Sequence, residues 1–74
     1  MSKNYADAPR LYVEAPLREG QPVTLGAAQT HYLRNVMRLG EGQSVRLFNG
    51  RDGEFAALIE TLSKKEAVLR PIEC

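Results

Sequence analysis

The chain has 74 residues, so it forms one domain whose core is modest in size. Hydrophobic residues make up 43% and charged residues 26%, a balance that excludes an intrinsically disordered chain. No apolar run reaches the ~20 residues of a membrane-spanning helix. The single cysteine, Cys74, excludes an internal disulfide, and the single histidine, His31, excludes a His/Cys zinc cluster within the chain.

The opening MSKNYADA (1–8) has no periodicity and reads as a flexible tail, with the folded unit at 9–74. It lacks the apolar middle of a signal peptide, so a cytoplasmic protein is expected, with no membrane partner. RLYVEA follows Pro9. There Leu11 and Val13 alternate with Tyr12 and Glu14, the period of a strand. Pro16 and Gly20 mark a loop, and PVTL (22–25) is a second short strand.

Gly26 is an acceptable helix N-cap, and Gln29 stands where a capping-box residue reaches back. Tyr32, Leu33, Val36 and Met37 form the expected apolar stripe of a helix that runs to Gly40. On an α-helical wheel of about 100° per residue, His31, Arg34, Asn35 and Arg38 share one narrow arc opposite that stripe.

QSVRLFN (43–49) alternates as a strand, and NGRDG (49–53) is turn chemistry suited to positive φ. EFAALIETL (54–62) is apolar on both faces, the pattern of a strand covered twice. SKKE (63–66) is a polar turn, and AVLRPI (67–72) is a last strand that Pro71 places at a sheet edge. The sum is a mainly β fold with one helix, in the order β-β-α-β-β-β. A small barrel with the helix plugging one end packs these elements most economically.

Charge is unevenly distributed despite a net of only +1. Between His31 and Arg51 lie four arginines (Arg34, Arg38, Arg46, Arg51) and one acid, Glu41. The exposed arc of the helix carries no acid, and the i,i+4 pair Arg34 and Arg38 repel by a few tenths of a kcal/mol. An anionic partner would offset that repulsion, and the guanidinium fork suits phosphate oxygens. A solvated helix face is the competing explanation, and Arg38 near a helix C-terminus is also favourable to the helix dipole. Arg10, Arg46 and Arg51 extend the positive set, while Tyr12 and Phe48 offer rings that could stack on bases or belong to the core. No phosphate-binding glycine loop or nucleophile elbow is present, so the 74 residues are not expected to catalyse a reaction on their own.

Pro9-Arg10-Leu11-Tyr12, the run His31 to Arg38, Gly40-Glu41-Gly42 and Leu47-Phe48-Asn49-Gly50 stand in one order and spacing. That ensemble, over about residues 9 to 72, resembles the N-terminal PUA-like domain of the RsmE family. Met37 stands where leucine is usual, a volume-conserving change. The family comprises bacterial methyltransferases that modify N3 of a uridine in 16S ribosomal RNA.

The resemblance implies a PUA-like β-barrel that holds RNA while a C-terminal SPOUT domain, absent from this chain, performs the chemistry. By the same resemblance, S-adenosylmethionine belongs to that second domain and no cofactor to this one, and the parent is a homodimer. The target base would be flipped out to the missing domain. The expected RNA-binding residues are Arg10, His31, Arg34, Asn35, Arg38, Arg46 and Arg51. The partner would be 16S ribosomal RNA or the small ribosomal subunit. The alternative is a protein-interaction or domain-docking barrel in which the arginines are merely solvated.

Overall fold

The computed structural model describes residues 8–73. The expected tail therefore lies outside the described residues except for Ala8, whose carbonyl accepts a hydrogen bond from Arg46 Nε at 3.0 Å. Five strands form one sheet: β1 (Arg10–Tyr12), β2 (Val23–Leu25), β3 (Ser44–Phe48), β4 (Glu54–Leu62) and β5 (Ala67–Glu73). Between β2 and β3 runs a helix, α1 (Ala27–His31), that passes directly into a π-helical segment, Tyr32–Val36. The expected order β-β-α-β-β-β is the observed one.

The spatial order is β1-β3-β4-β5-β2. β3, β4 and β5 form an antiparallel meander, β2 adds antiparallel to β5, and β1 adds parallel to β3. The first two strands of the chain therefore occupy opposite edges of a curled, half-closed barrel. Register irregularities in the β4–β5 ladder fall at Ala56/Ala57 and Ile59/Thr61. Such bulges bend and twist a strand, as a curled sheet requires.

The concave side is filled by alternate residues. Val45 and Leu47 of β3, Phe55, Ala57 and Ile59 of β4, and Ala67 and Leu69 of β5 are all buried, joined by Leu11, Val23, Leu25 and Leu33. Burying a leucine or isoleucine side chain of this kind contributes ~1.5–3 kcal/mol. β4 is apolar on its second face as well, where Ala56 is buried and Leu58 half-buried. Those two residues lie directly opposite Arg46 and Arg70 in the ladders, which sets long arginine stems beside them on that face.

Pro71 does not put β5 at an edge. The strand is internal, and Pro71 is fully buried opposite Ala57. Its carbonyl accepts from Gly20 N at 2.8 Å. The N and O of one strand residue point to the same side, so the missing N–H also faces the Gly20 loop. β2 pairs only with Ala67–Leu69, and no ladder bond is lost at Pro71.

The helix departs most from expectation. Gly26 is extended and caps α1 without a side chain, and Gln29 does not reach back. Its Nε2 instead donates to the Tyr12 carbonyl at 2.6 Å, tying the start of α1 to the end of β1. Beyond His31 the turn widens, and Met37 N bonds to Tyr32 O, five residues back. Leu39 N then closes on Leu33 O at 3.0 Å, across Arg38 at φ +58. This is a Schellman-like stop enlarged by one residue.

The widening changes which residues face inward. Leu33 is fully buried, with Met37 and Leu39 packed partly against the core. Tyr32 and Val36, expected on the same stripe, are 45% and 60% exposed. The inward face shifts there because the segment no longer keeps 3.6 residues per turn.

Candidate nucleic-acid interface

The seven expected site residues fall into two groups. One lies on the helical segment and the turn that ends it. His31, Arg34, Asn35 and Arg38 are all exposed. Asn35 Nδ2 lies 2.9 Å from His31 Nδ1, a hydrogen-bonding contact that links the two exposed side chains. Arg34 and Arg38 have no acidic partner among the described residues. Arg38 is not on the helix: it follows Met37, the C-cap, in the left-handed conformation. Its dipole rationale and its place in a single helical arc are both corrected. The backbone turn presents Arg38 rather than helical spacing.

An arginine at positive φ costs ~1 kcal/mol where glycine would cost little. Arg38→Gly should therefore raise the melting temperature by a few degrees, at ~4–8 °C per kcal/mol for a domain this size, while weakening anion binding. Thermal melts followed by circular dichroism check this. A lower melting temperature would mean that the Arg38 side chain makes a packing contribution larger than the strain.

The second group is assembled by the sheet. Parallel pairing of β1 with β3 sets Arg10 beside Arg46 and Tyr12 beside Phe48, and antiparallel pairing sets Phe48 beside Glu54. Arg10 Nη2 approaches Glu54 Oε1 at 3.1 Å, and Arg46 Nη1 approaches Glu54 Oε2 at 3.3 Å. One carboxylate thus bridges two guanidinium groups and leaves the cluster net positive. The Arg10 guanidinium carbon sits 4.4 Å from the centre of the Phe48 ring, within cation–π range. Tyr12 meets Phe48 edge-on, with ring centres 5.6 Å apart.

Arg51 joins this group at the tip of the NGRDG turn. Arg10, Phe48, Gly50, Arg51, Gly53 and Glu54 line one open recess of about 370 Å3. Gly50 and Gly53 both adopt positive φ, +81 and +92, so the turn places two residues without side chains at the rim.

The turn is held from below by Asn49, only 8% exposed. Its Oδ1 accepts from the N–H groups of Arg51 and Asp52 at 3.0 and 2.9 Å. Its Nδ2 donates to the Ala15 carbonyl at 3.0 Å and to Asp52 Oδ2 at 2.8 Å. Asp52 Oδ2 also accepts from Leu17 N at 3.0 Å. The Leu17 N–H, then the Asn49 amide, hold the Asp52 carboxyl below its ordinary value of 3.8. The turn and the loop over 14–17 are therefore one hydrogen-bonded unit.

Three contributors escaped sequence reasoning: Glu54, which organises two arginines, and Asn49 and Asp52, which hold Arg51 in place. Only the Asn-Gly and Asp-Gly pairs hinted at the last two. The acid nearest the helix, Glu41, serves structure, accepting from Leu62 N at 2.9 Å. Among the described residues no cluster of metal-ligating side chains occurs, and no helix is long and apolar enough to cross a membrane.

The described residues thus form a half-closed β-barrel that carries two arginine groups and an aromatic–guanidinium recess. Residues 25–72 match the model of the RNA methyltransferase PUA domain, and the chain belongs to that family. It is 37% identical over 62 residues to ribosomal RNA small subunit methyltransferase E of Rickettsia conorii, covering 82% of this chain but 25% of that protein.

Two solved structures share the fold. A methyltransferase of Legionella pneumophila in complex with SAM superposes with a TM-score of 0.81 at 29% identity, over 92% of this chain and 28% of that one. Ribosomal RNA small subunit methyltransferase E of Neisseria gonorrhoeae, bound to S-adenosylmethionine, gives 0.79 at 27% identity, over 89% of this chain and 27% of that one. The chain thus spans about a quarter of the length of these relatives.

Proposed function

We propose that this chain is the RNA-holding module of a SAM-dependent methyltransferase that methylates N3 of a uridine in 16S ribosomal RNA. The module grips the ribosomal RNA, or the small subunit that contains it, in the cytoplasm. A C-terminal SPOUT domain carries the chemistry and the homodimer interface.

The observation that carries this reading is the pair Arg34 and Arg38. Both are exposed, both lack an acidic partner among the described residues, and both belong to a family domain of RNA methyltransferases. Phosphate contacts need no base code, since charge and backbone shape suffice to position an RNA. Arg10, Arg46, Arg51, His31 and Asn35 extend the grip.

The family resemblance assigns the cofactor to the second domain. The recess lined by Arg10 and Arg51 is bordered by two guanidinium groups, which disfavour the sulfonium cation of S-adenosylmethionine. Supplied by the second domain, that cofactor is the methyl donor. The barrel contributes binding and orientation.

Fluorescence-anisotropy titration with a 16S ribosomal RNA fragment at two salt concentrations tests the proposal. Arg34→Ala/Arg38→Ala should weaken binding about tenfold or more and flatten the log–log salt slope by about 1.4–1.8. Equal affinities and slopes for wild type and variant would sink the RNA-grip reading.

The exposure of Tyr32 and Val36 favours a second reading, in which the π-helical segment docks a neighbouring domain. Under that reading the double arginine variant binds RNA normally, and Val36→Asp is the substitution that disrupts assembly with the C-terminal domain.

A further inference from the structure

The recess over Phe48 has a composition that a phosphate grip does not explain. A site made only for phosphate has no use for Glu54 in its lining, because a carboxylate repels the backbone. Nor does it need an aromatic ring beneath one of its cations. The combination of a flat cation on a ring, a carboxylate with spare acceptor capacity and a rim of glycines suits a nucleobase. The geometry points to a single-nucleotide pocket in which an unstacked guanine lies on the Arg10–Phe48 pair and is read by Glu54. This inference rests on the RNA-holding reading and names what that surface recognises.

Stacking comes first. The Arg10 guanidinium is already drawn toward Phe48 and tethered to Glu54, and its side chain remains about half exposed. Guanidinium planes and aromatic rings are the platforms on which proteins stack splayed-out RNA bases. A guanidinium held in place by both a ring and a carboxylate is preorganised for that role, so little rotamer freedom is lost on binding. The recess volume of about 370 Å3 falls within the range of small-ligand sites, about 300–1,000 Å3. Gly50 leaves open space where a Cβ would stand, so the mouth is unobstructed.

Edge recognition follows from valence. Each carboxylate oxygen accepts two hydrogen bonds. Arg10 occupies one site on Glu54 Oε1, and Arg46 occupies one on Oε2. One acceptor site therefore remains on each oxygen of the same carboxylate. Guanine presents two adjacent donors, N1–H and the exocyclic N2 amine, which match that pair. Uracil presents one N–H between two carbonyl oxygens, and a carboxylate repels both carbonyls. Adenine and cytosine offer a single amine beside an unprotonated ring nitrogen. Arg51, exposed at the rim and held only by long contacts to Asp52 at 3.7 Å and the Glu14 carbonyl at 3.5 Å, is placed to take the nucleotide's phosphate.

The test is an amide-resolved NMR titration of the chain with two single-stranded pentanucleotides, UUGUU and UUUUU. The inference expects UUGUU to shift the Gly50, Gly53 and Glu54 amides and to bind at least about fivefold tighter than UUUUU. Arg10→Lys keeps the charge and the reach to Glu54 but loses the plane, and should weaken UUGUU about tenfold with the salt slope unchanged. Glu54→Gln should erase the preference for UUGUU. Phe48→Leu, checked for folding by circular dichroism, should behave as Arg10→Lys does.

The inference is overturned if the recess amides do not respond, or if Arg10→Lys and Glu54→Gln bind both oligonucleotides as wild type does. If that happens while the 16S fragment still binds through Arg34 and Arg38, the base pocket falls and the RNA-holding module stands. If neither the fragment nor the pentanucleotides bind, both fall.

Discussion

Asn49→Ala should lower stability by about 2–4 kcal/mol and the melting temperature by more than 10 °C. The side chain makes four hydrogen bonds, to Arg51, Asp52 (twice) and Ala15, and is nearly buried. Each such bond is worth ~0.5–1.5 kcal/mol net, and the penalty is larger where a partner is left unsatisfied. A domain of this size has only ~3–5 kcal/mol to lose. The variant is therefore expected to be largely unfolded at 37 °C, which urea denaturation followed by circular dichroism reads directly. A melting temperature within 2 °C of wild type would show that water replaces these bonds without loss.

Asn49→Asp separates geometry from charge. It keeps the acceptor for the Arg51 and Asp52 amides but sets a second carboxylate against Asp52. In wild type, Asp52 is held below its ordinary value, so its contribution is fully present above about pH 3.8 and fades as pH falls through the lower folded value. In Asn49→Asp the two carboxyls repel, and the folded values of the pair rise. Its deficit relative to wild type should be largest at neutral pH and shrink on acidification toward pH 4. Melts at pH 7 and pH 4 check this sign.

Leu33→Ala should cost about 2–5 kcal/mol, since it empties a fully buried site where the helical segment enters the barrel. Val36→Ala, at a residue 60% exposed, should stay within about 0.5 kcal/mol of wild type. On a regular α-helix both residues share the buried stripe and both substitutions would be costly. Comparable losses at both positions would contradict the π-helical turn. Small losses at both would mean that the helix is not anchored in the core.

The two arginine groups differ in how they were legible. Arg34 and Arg38 stand out in the sequence because no acid falls between them, and the structure keeps both exposed. It does so by different means: Arg34 through the helix, Arg38 through a left-handed turn just past it. Arg10 and Arg46 are 36 positions apart in the sequence and share one carboxylate only because β1 pairs with β3 rather than with β2. Nothing local signals that choice. A three-residue parallel edge strand draws its position from the hydrophobic residues it adds to the core, here Leu11 beside Leu47. The Asn49–Asp52 unit is likewise half legible: the turn is written in NGRDG, but its partners Ala15 and Leu17 arrive from 34 and 35 residues away.

By itself, then, the sequence determined the strands and the start of the helix. Period-two alternation in β3, β4 and β5 reflects which side chains leave water, and that signal is local. It determined the positive middle of the chain as well, because charge is a property of composition. Tertiary structure alone decided the strand order, the widened turn that exposes Tyr32 and Val36, and the clustering of Arg10, Phe48 and Glu54. Those features depend on contacts between distant segments whose energies are settled jointly when the core packs, and no short window of residues contains them.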